Sequence, residues 1–315
     1  MSDARPFRFG LAVTGGVSSR EEWIGLARRA EDMGYATLLV ADHYVNEYLP
    51  IAALMAAADA TSTLRVGSYV FNNDFRHPVQ LAKEVAALDR LSGGHFELGL
   101  GAGWYRPEYD QVGLPFESAG VRIRRLAEGV SIIKQFFTQD SVTFSGDHYT
   151  VADLKAFPKP TQRPYPPILI GGGGRQVLTL AGREADIVGL ELREKNDGTV
   201  DASERTEAAL AQKVEWVQQA ASERFSTMEL NLLIRAVILT EDRQQAAEKR
   251  AREQWTGETV TAEEILANPY LLIGPVEHVV EALLRRREQF GISYLTVHVR
   301  DAEVFAPVVA HLAGL

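Results

Sequence analysis

The chain has 315 residues, 46% hydrophobic and 24% charged, the composition of a globular protein able to bury a large core. Its 33 Lys and Arg stand against 42 Asp and Glu, and the formal charge of −9 argues against general nucleic-acid binding. There is no cysteine, which excludes disulfides and thiolate chemistry and fits a cytoplasmic protein.

The start, MSDARPFRFGLAV, carries an apolar run too short to span a membrane and lacks a signal-peptide core. Short apolar runs then alternate with helical patterns. FRFGLAV (7–13) reads as the first strand. The helix 19–34 follows, with Trp23, Leu26, Ala27 and Ala30 at helical spacing and Gly34 as its stop. Strands two to four are expected at 35–43, 64–71 and 95–102, with helices at 50–61, 78–91 and 119–138. PPILIGG gives the fifth strand, 185–192 the sixth, 230–239 the seventh and 294–299 the eighth. Helices near 175–183, 203–223, 241–255, 276–289 and 302–312 fill the gaps. Eight strands, each followed by a helix, predict one (β/α)8 barrel over 1–315; a doubly wound open sheet is the alternative. The alternation is interrupted after strands four, six and seven. The aromatic loop 103–118 and the polar, mobile-looking loop 193–202 are two of these interruptions, and a hairpin at 142–151 precedes strand five.

A barrel of this kind carries its active site at the C-terminal strand ends. Strand two ends in Asp42-His43, strand three runs into FNNDFRHP, strand four into GLGAGW, and strand six gives Glu191. Strand eight gives His298, which faces either into the pocket or away from it. No strand end offers a lysine for Schiff-base chemistry or a set of residues with metal-ligand spacing, so no metal is expected. Strand five ends in four glycines, Gly171 to Gly174, followed by Arg175-Gln176. That is neither a Walker loop nor a dinucleotide fingerprint. Two readings remain: bare backbone opening a helix, where N–H groups and the helix dipole hold one phosphate, or a tight turn that needs positive φ.

The ordered set LLVADHY, VFNNDFRHP, LDRLSGGHFELGLGAGW, FSGDHY, FPKPTQRPYPPILIGGGG and READIVGL resembles the luciferase-like monooxygenase superfamily, closest to the branch that uses the deazaflavin coenzyme F420. The resemblance covers essentially the whole chain. It departs at His95, where the family usually has Arg, and at Trp104, where some sugar-phosphate dehydrogenases of the family carry a catalytic Glu. It implies a cytoplasmic barrel, a homodimer, no membrane or nucleic-acid partner, and F420 as cofactor, with FMN the alternative. Site roles follow from the same resemblance. His43 and Asp42 are the expected catalytic pair. Tyr69 and Val70 match a place where the family often has a non-proline cis peptide behind the ring. Asn72 either contacts the ring edge or makes a turn. Gly101 and Gly103 permit close approach, and Gly172, Gly173, Gly174 and Arg175 hold the phosphate. Trp104, Tyr105, Glu191 and His298 wall the substrate pocket. Arg76 and Lys159 either meet an anionic tail or sit on solvated surface. The implied activity is hydride transfer between F420 and an unidentified small organic substrate. An FMN-dependent monooxygenase and a non-catalytic cofactor-binding barrel are the alternatives.

Overall fold

The structure, a computed structural model, describes residues 5–46, 48–195, 199–253 and 260–315. Parts of three sequence expectations therefore lie outside the described residues: the first four positions, 196–198 of the loop 193–202, and the last two positions of the helix 241–255.

The strands in chain order are β1 (Arg8–Val13), β2 (Thr37–Val40), β3 (Arg65–Ser68), β4 (Phe71–Asn72), β5 (Phe96–Gly101), β6 (Ser141–Ser145), β7 (Thr150–Lys155), β8 (Ile168–Gly172), β9 (Ile187–Leu190), β10 (Glu229–Ile234), β11 (Ala236–Leu239), β12 (Leu271–Gly274) and β13 (Ile292–His298). The helices are α1 (Arg20–Asp32), α2 (Pro50–Ala60), α3 (Pro78–Leu91), α4 (Arg106–Val112), α5 (Ala119–Thr138), α6 (Arg175–Glu184), α7 (Glu207–Ala221), α8 (Arg243–Glu253), α9 (Ala262–Ala267), α10 (Val276–Phe290) and α11 (Ala302–Leu312). Eight strands pair in parallel in the order β1, β2, β3, β5, β8, β9, β10, β13 and back to β1, which closes the barrel. The (β/α)8 expectation holds, and the open sheet is excluded.

Local chemistry starts the helices where the sequence does. Ser19 and Glu22 form a reciprocal capping box at the head of α1, which buries Trp23, Leu26, Ala27 and Ala30 against the barrel. Pro50 and Pro78 open α2 and α3, where a missing N–H costs nothing. At the N-terminal end of the barrel, Glu97 is enclosed between Arg8 and Arg65, and Arg8 also bonds Glu229 at 2.8 Å. Burial pushes the Glu97 carboxyl up, but the two guanidinium groups outweigh it and hold it below the usual carboxylate range. That end is a closed ionic plug, so the opposite end is the place for chemistry.

The structure corrects the seventh strand. The apolar run 230–239 is split at Arg235 into β10, inside the barrel, and β11, which pairs with β12 in a separate two-stranded sheet. The Arg235 amide donates to the Tyr270 carbonyl rather than to a barrel neighbour. β11, α8, α9 and β12 enclose a small cluster of their own around Ala247, Ile265, Leu271 and Ile273. The loop 103–118 likewise holds a short helix, α4, that was not expected.

Candidate active site

At the barrel mouth, β2 delivers Asp42 and His43 side by side, and the two part company. Asp42 is buried, and its carboxylate accepts two bonds from Arg76, at 2.9 and 3.1 Å, and one from the Asn72 amide at 3.1 Å. Burial pushes its pKa up, partly offset by Arg76. Arg76 is thus neither a receptor for an anionic tail nor a solvated side chain: it is the counterion of Asp42. His43 turns instead to Glu108, with Nδ1 and Oε2 2.8 Å apart. Glu108 is buried, and its second oxygen, Oε1, has no partner among the described residues. With Nδ1–H donating to this carboxylate, Nε2 is left for a ligand. The imidazole is partly open and lies edge-on to Trp104, with ring centroids 6.0 Å apart; Tyr105 packs against Trp104 at 5.1 Å.

Sequence reasoning missed Glu108. It lies on α4, whose Pro107 near the first turn was the available signal for a helix inside the aromatic loop. The next residue, Tyr109, is fully buried and bonds Asn72 at 3.0 Å. Asn72 also accepts from the Asp74 amide at 3.0 Å, so its side chain is committed to the turn. Lys159, the other candidate for an anionic tail, donates to the Phe136 carbonyl at 2.6 Å near the end of α5.

The Tyr69–Val70 peptide is cis. The Tyr69 hydroxyl reaches across the barrel to Glu191, after β9, and to Asn231 Oδ1 of β10 at 2.7 Å. Val70 packs where glycines make room: a Cβ on Gly101 would lie 2.6 Å from Val70 Cγ2. Gly103 has φ +73°, and its missing Cβ position is taken by the Tyr109 hydroxyl. The chain's own packing therefore explains both of these glycines.

None of the four glycines at the end of β8 has a positive φ, which removes the tight-turn reading. A Cβ on Gly172 would lie 2.4 Å from Val177 Cγ1, and one on Gly173 would lie 2.4 to 2.7 Å from the Leu192–Arg193 backbone. Those two glycines let β8 and α6 pass against the chain leaving β9. Gly174 is different, because its Cβ would meet only Arg193 Cδ, at 3.9 Å. It heads α6 without a side-chain cap, and Arg175 beside it is exposed. Uncapped N–H groups, the positive end of a helix and a neighbouring guanidinium fit a phosphate.

The wall formed by β9, β10 and β13 carries Glu191, Arg235 and His298. Burial pushes the Glu191 carboxyl up, against Arg235. Burial, with help from Arg300 and Arg235, pushes the His298 imidazole down to about 4, so it is neutral near pH 7. Arg235, also missed from sequence, bonds Glu194 at 2.7 Å.

A sequence model of the luciferase-like monooxygenase family matches residues 5–294. Over 168 residues the chain is 32% identical to an F420-dependent glucose-6-phosphate dehydrogenase of Amycolatopsis mediterranei (strain U-32), covering 51% of this chain and 50% of that one. Over 141 residues it is 32% identical to an FMNH(2)-dependent dimethylsulfone monooxygenase of Pseudomonas putida, covering 45% and 39%. The chain thus spans about half the length, or less, of these curated relatives. The fold is shared with the coenzyme F420-dependent tetrahydromethanopterin reductase of Methanopyrus kandleri, with a TM-score of 0.76, 20% identity, and 98% and 100% of the two chains covered. It is shared equally with an F420-dependent secondary alcohol dehydrogenase, with a TM-score of 0.76, 19% identity, and 98% and 99% covered. By its sequence and its barrel, the chain belongs to the luciferase-like monooxygenase family.

Proposed function

We propose that this chain is an F420-dependent oxidoreductase that moves a hydride between the deazaflavin and a small organic substrate, with His43 exchanging the accompanying proton. The observation that carries the reading is the His43–Glu108 pair, an imidazole fixed at Nδ1 and presented at Nε2 beside Trp104. Bound F420 would supply a carbon that gives or accepts hydride. Gly174 and Arg175, at the uncapped head of α6, are the groups suited to its phosphate. Val70 and Tyr69 form the floor. His43 Nε2 takes the proton of a substrate hydroxyl as hydride leaves its carbon, or returns it to a carbonyl in the reverse direction. Glu108 holds the ring for this exchange, while Asp42, bonded to Arg76, shapes the β2 end. The F420 dependence named in several curated relatives at 30–32% identity supports the choice of cofactor. The named FMNH(2) dependence of the Pseudomonas putida relative makes an FMN monooxygenase the second reading. Homodimer assembly and a cytoplasmic location belong to the same proposal, and sedimentation tests the first.

Replacing His43 with Ala tests the role. The single-turnover rate of bound cofactor, followed by absorbance, should fall about 10²–10⁴-fold while the cofactor still binds. A wild-type rate at saturating cofactor would remove His43 from the mechanism.

A further inference from the structure

The loop that leaves β2 at His43 turns apolar side chains to the surface. Tyr44, Val45 and Leu49 are 40%, 66% and 46% exposed, and none of the described residues from 44 to 49 carries a charge. Val112, 44% exposed, lies one turn beyond Glu108 on the face of α4 that meets His43. Four of the nine large hydrophobic side chains exposed among the described residues therefore gather around this imidazole and the helix that holds it. Tyr44 rests on a packed base: its ring centroid is 4.5 Å from that of Phe75, which lies 5.5 Å from that of the fully buried Tyr109. Half-buried Trp104, edge-on to His43, and Tyr105 complete the rim. Large apolar side chains grouped in this way mark a binding surface, unlike the single ones scattered over any protein.

Two occupants could cover such a rim, a second copy of the chain or the body of a substrate. A stable subunit interface buries about 800 Å² per partner from roughly 20–30 residues. Four exposed apolar side chains fall far short of that, and the exposed Arg106–Asp110 pair stands on the same short helix. The order of the strands also favours the substrate. The groups suited to the cofactor, Tyr69 and Val70 after β3 and Gly174 and Arg175 at the end of β8, lie along the run β3, β5, β8. The β2 loop stands outside that run, next to the imidazole.

We propose that the substrate is an alcohol or carbonyl compound with an apolar body, an alkyl chain or an aryl ring, which lies on this rim while its oxygen meets His43 Nε2. The proposal rests on reading His43 as the group that exchanges the substrate proton. Full burial of a methylene is worth a factor of about four in affinity, and an open rim covers about half of each one, so about twofold per methylene is expected.

The series 2-butanol, 2-hexanol and 2-octanol tests it. The protein is first saturated with whichever of F420 or FMN it binds, and the alcohols are titrated by the change in that cofactor's fluorescence, or by tryptophan fluorescence if neither binds. A failure of the F420 reading is thus scored in the first titration, and a failure of the His43 role in the single-turnover rate of His43→Ala; neither alters the slope measured here. In the wild type 2-octanol should bind about sixteenfold more tightly than 2-butanol. In the double variant Val45→Ser, Leu49→Ser, which changes only exposed side chains, that advantage should shrink at least threefold while 2-butanol binds as before. A flat series overturns the proposal, and so does an undiminished advantage in the double variant, which would place the alkyl chain elsewhere. Sedimentation of both proteins supplies the remaining outcome: a dimer present in the wild type and lost in the double variant would give the rim to a second copy and overturn the proposal.

Discussion

Gly173 and Gly174 are neighbours in sequence with opposite reasons for lacking a side chain, and a pair of alanine substitutions separates them. In Gly173→Ala the new methyl would lie 2.4 Å from the Arg193 amide nitrogen, 2.6 Å from the Leu192 carbonyl carbon and 2.7 Å from Arg193 Cα. These are backbone atoms, so the chain after β9 must move. Overpacking of this kind costs about 1–3 kcal/mol, with the upper end expected here, and lowers Tm by roughly 2–5 °C in a chain of this size. In Gly174→Ala the nearest atom is Arg193 Cδ at 3.9 Å, and the backbone is at φ −95°, which alanine adopts freely. Stability should change by less than about 1 kcal/mol, set by the helix-cap preference and the unfolded-chain entropy. The effect on ligand binding should be reversed in kind. A methyl beside the uncapped N–H groups of α6 obstructs a phosphate, so Gly174→Ala should weaken F420 binding about tenfold or more while folding normally. Urea unfolding and an absorbance titration with F420 measure the two effects. Wild-type stability in Gly173→Ala would refute the close approach to the β9 exit. Unchanged cofactor affinity in Gly174→Ala would refute the phosphate role of the loop.

Glu108→Gln removes the obligate acceptor at His43 Nδ1, since an amide can also donate there and turn the ring to the other tautomer. The single-turnover rate should drop about tenfold or more with cofactor affinity unchanged, and an unaltered rate would show that Glu108 does not position the imidazole. His298 makes stability depend on pH: the unfolded chain takes up a proton below about 6.5, whereas the folded imidazole does so only near 4. The folded state therefore loses stability as pH falls from 6.5 toward 4, by about 1–2 kcal/mol after allowance for partial exposure. Urea midpoints at pH 7 and 4.5 should differ less in His298→Asn than in the wild type, and equal pH sensitivity would contradict the burial argument.

The elements that sequence placed best are those bounded by local chemistry. The helices at 78–91 and 119–138 occur at those bounds; Pro78 opens the first, and Ser118 precedes the second as an extended N-cap without a side-chain bond. The seventh strand reads as one element because LNLLIRAVIL has no Gly or Pro at the break; Arg235 interrupts the apolar run there, and the carbonyl its amide chooses, that of Tyr270, marks where the chain leaves the barrel. The site shows the same division. The strand ends told which side chains stand at the mouth, Asp42, His43, Glu191 and His298 among them. They did not tell which partner each would take. His43 bonds a residue 65 positions away and Asp42 one 34 positions away, choices made by packing of α4 and of the turn before α3. The glycines illustrate it again: four look alike in sequence, yet two are excluded volume against other chain segments and one is open at a helix head.

The central claim, that this barrel handles hydride on a deazaflavin, is tested most directly by titrating the cofactor-free protein with F420 and with FMN under the same conditions. F420 should bind at least tenfold more tightly, a difference of about 1.4 kcal/mol. Tighter binding of FMN, with oxygen consumed once the bound flavin is reduced, would contradict the account and assign the chain to monooxygenase chemistry.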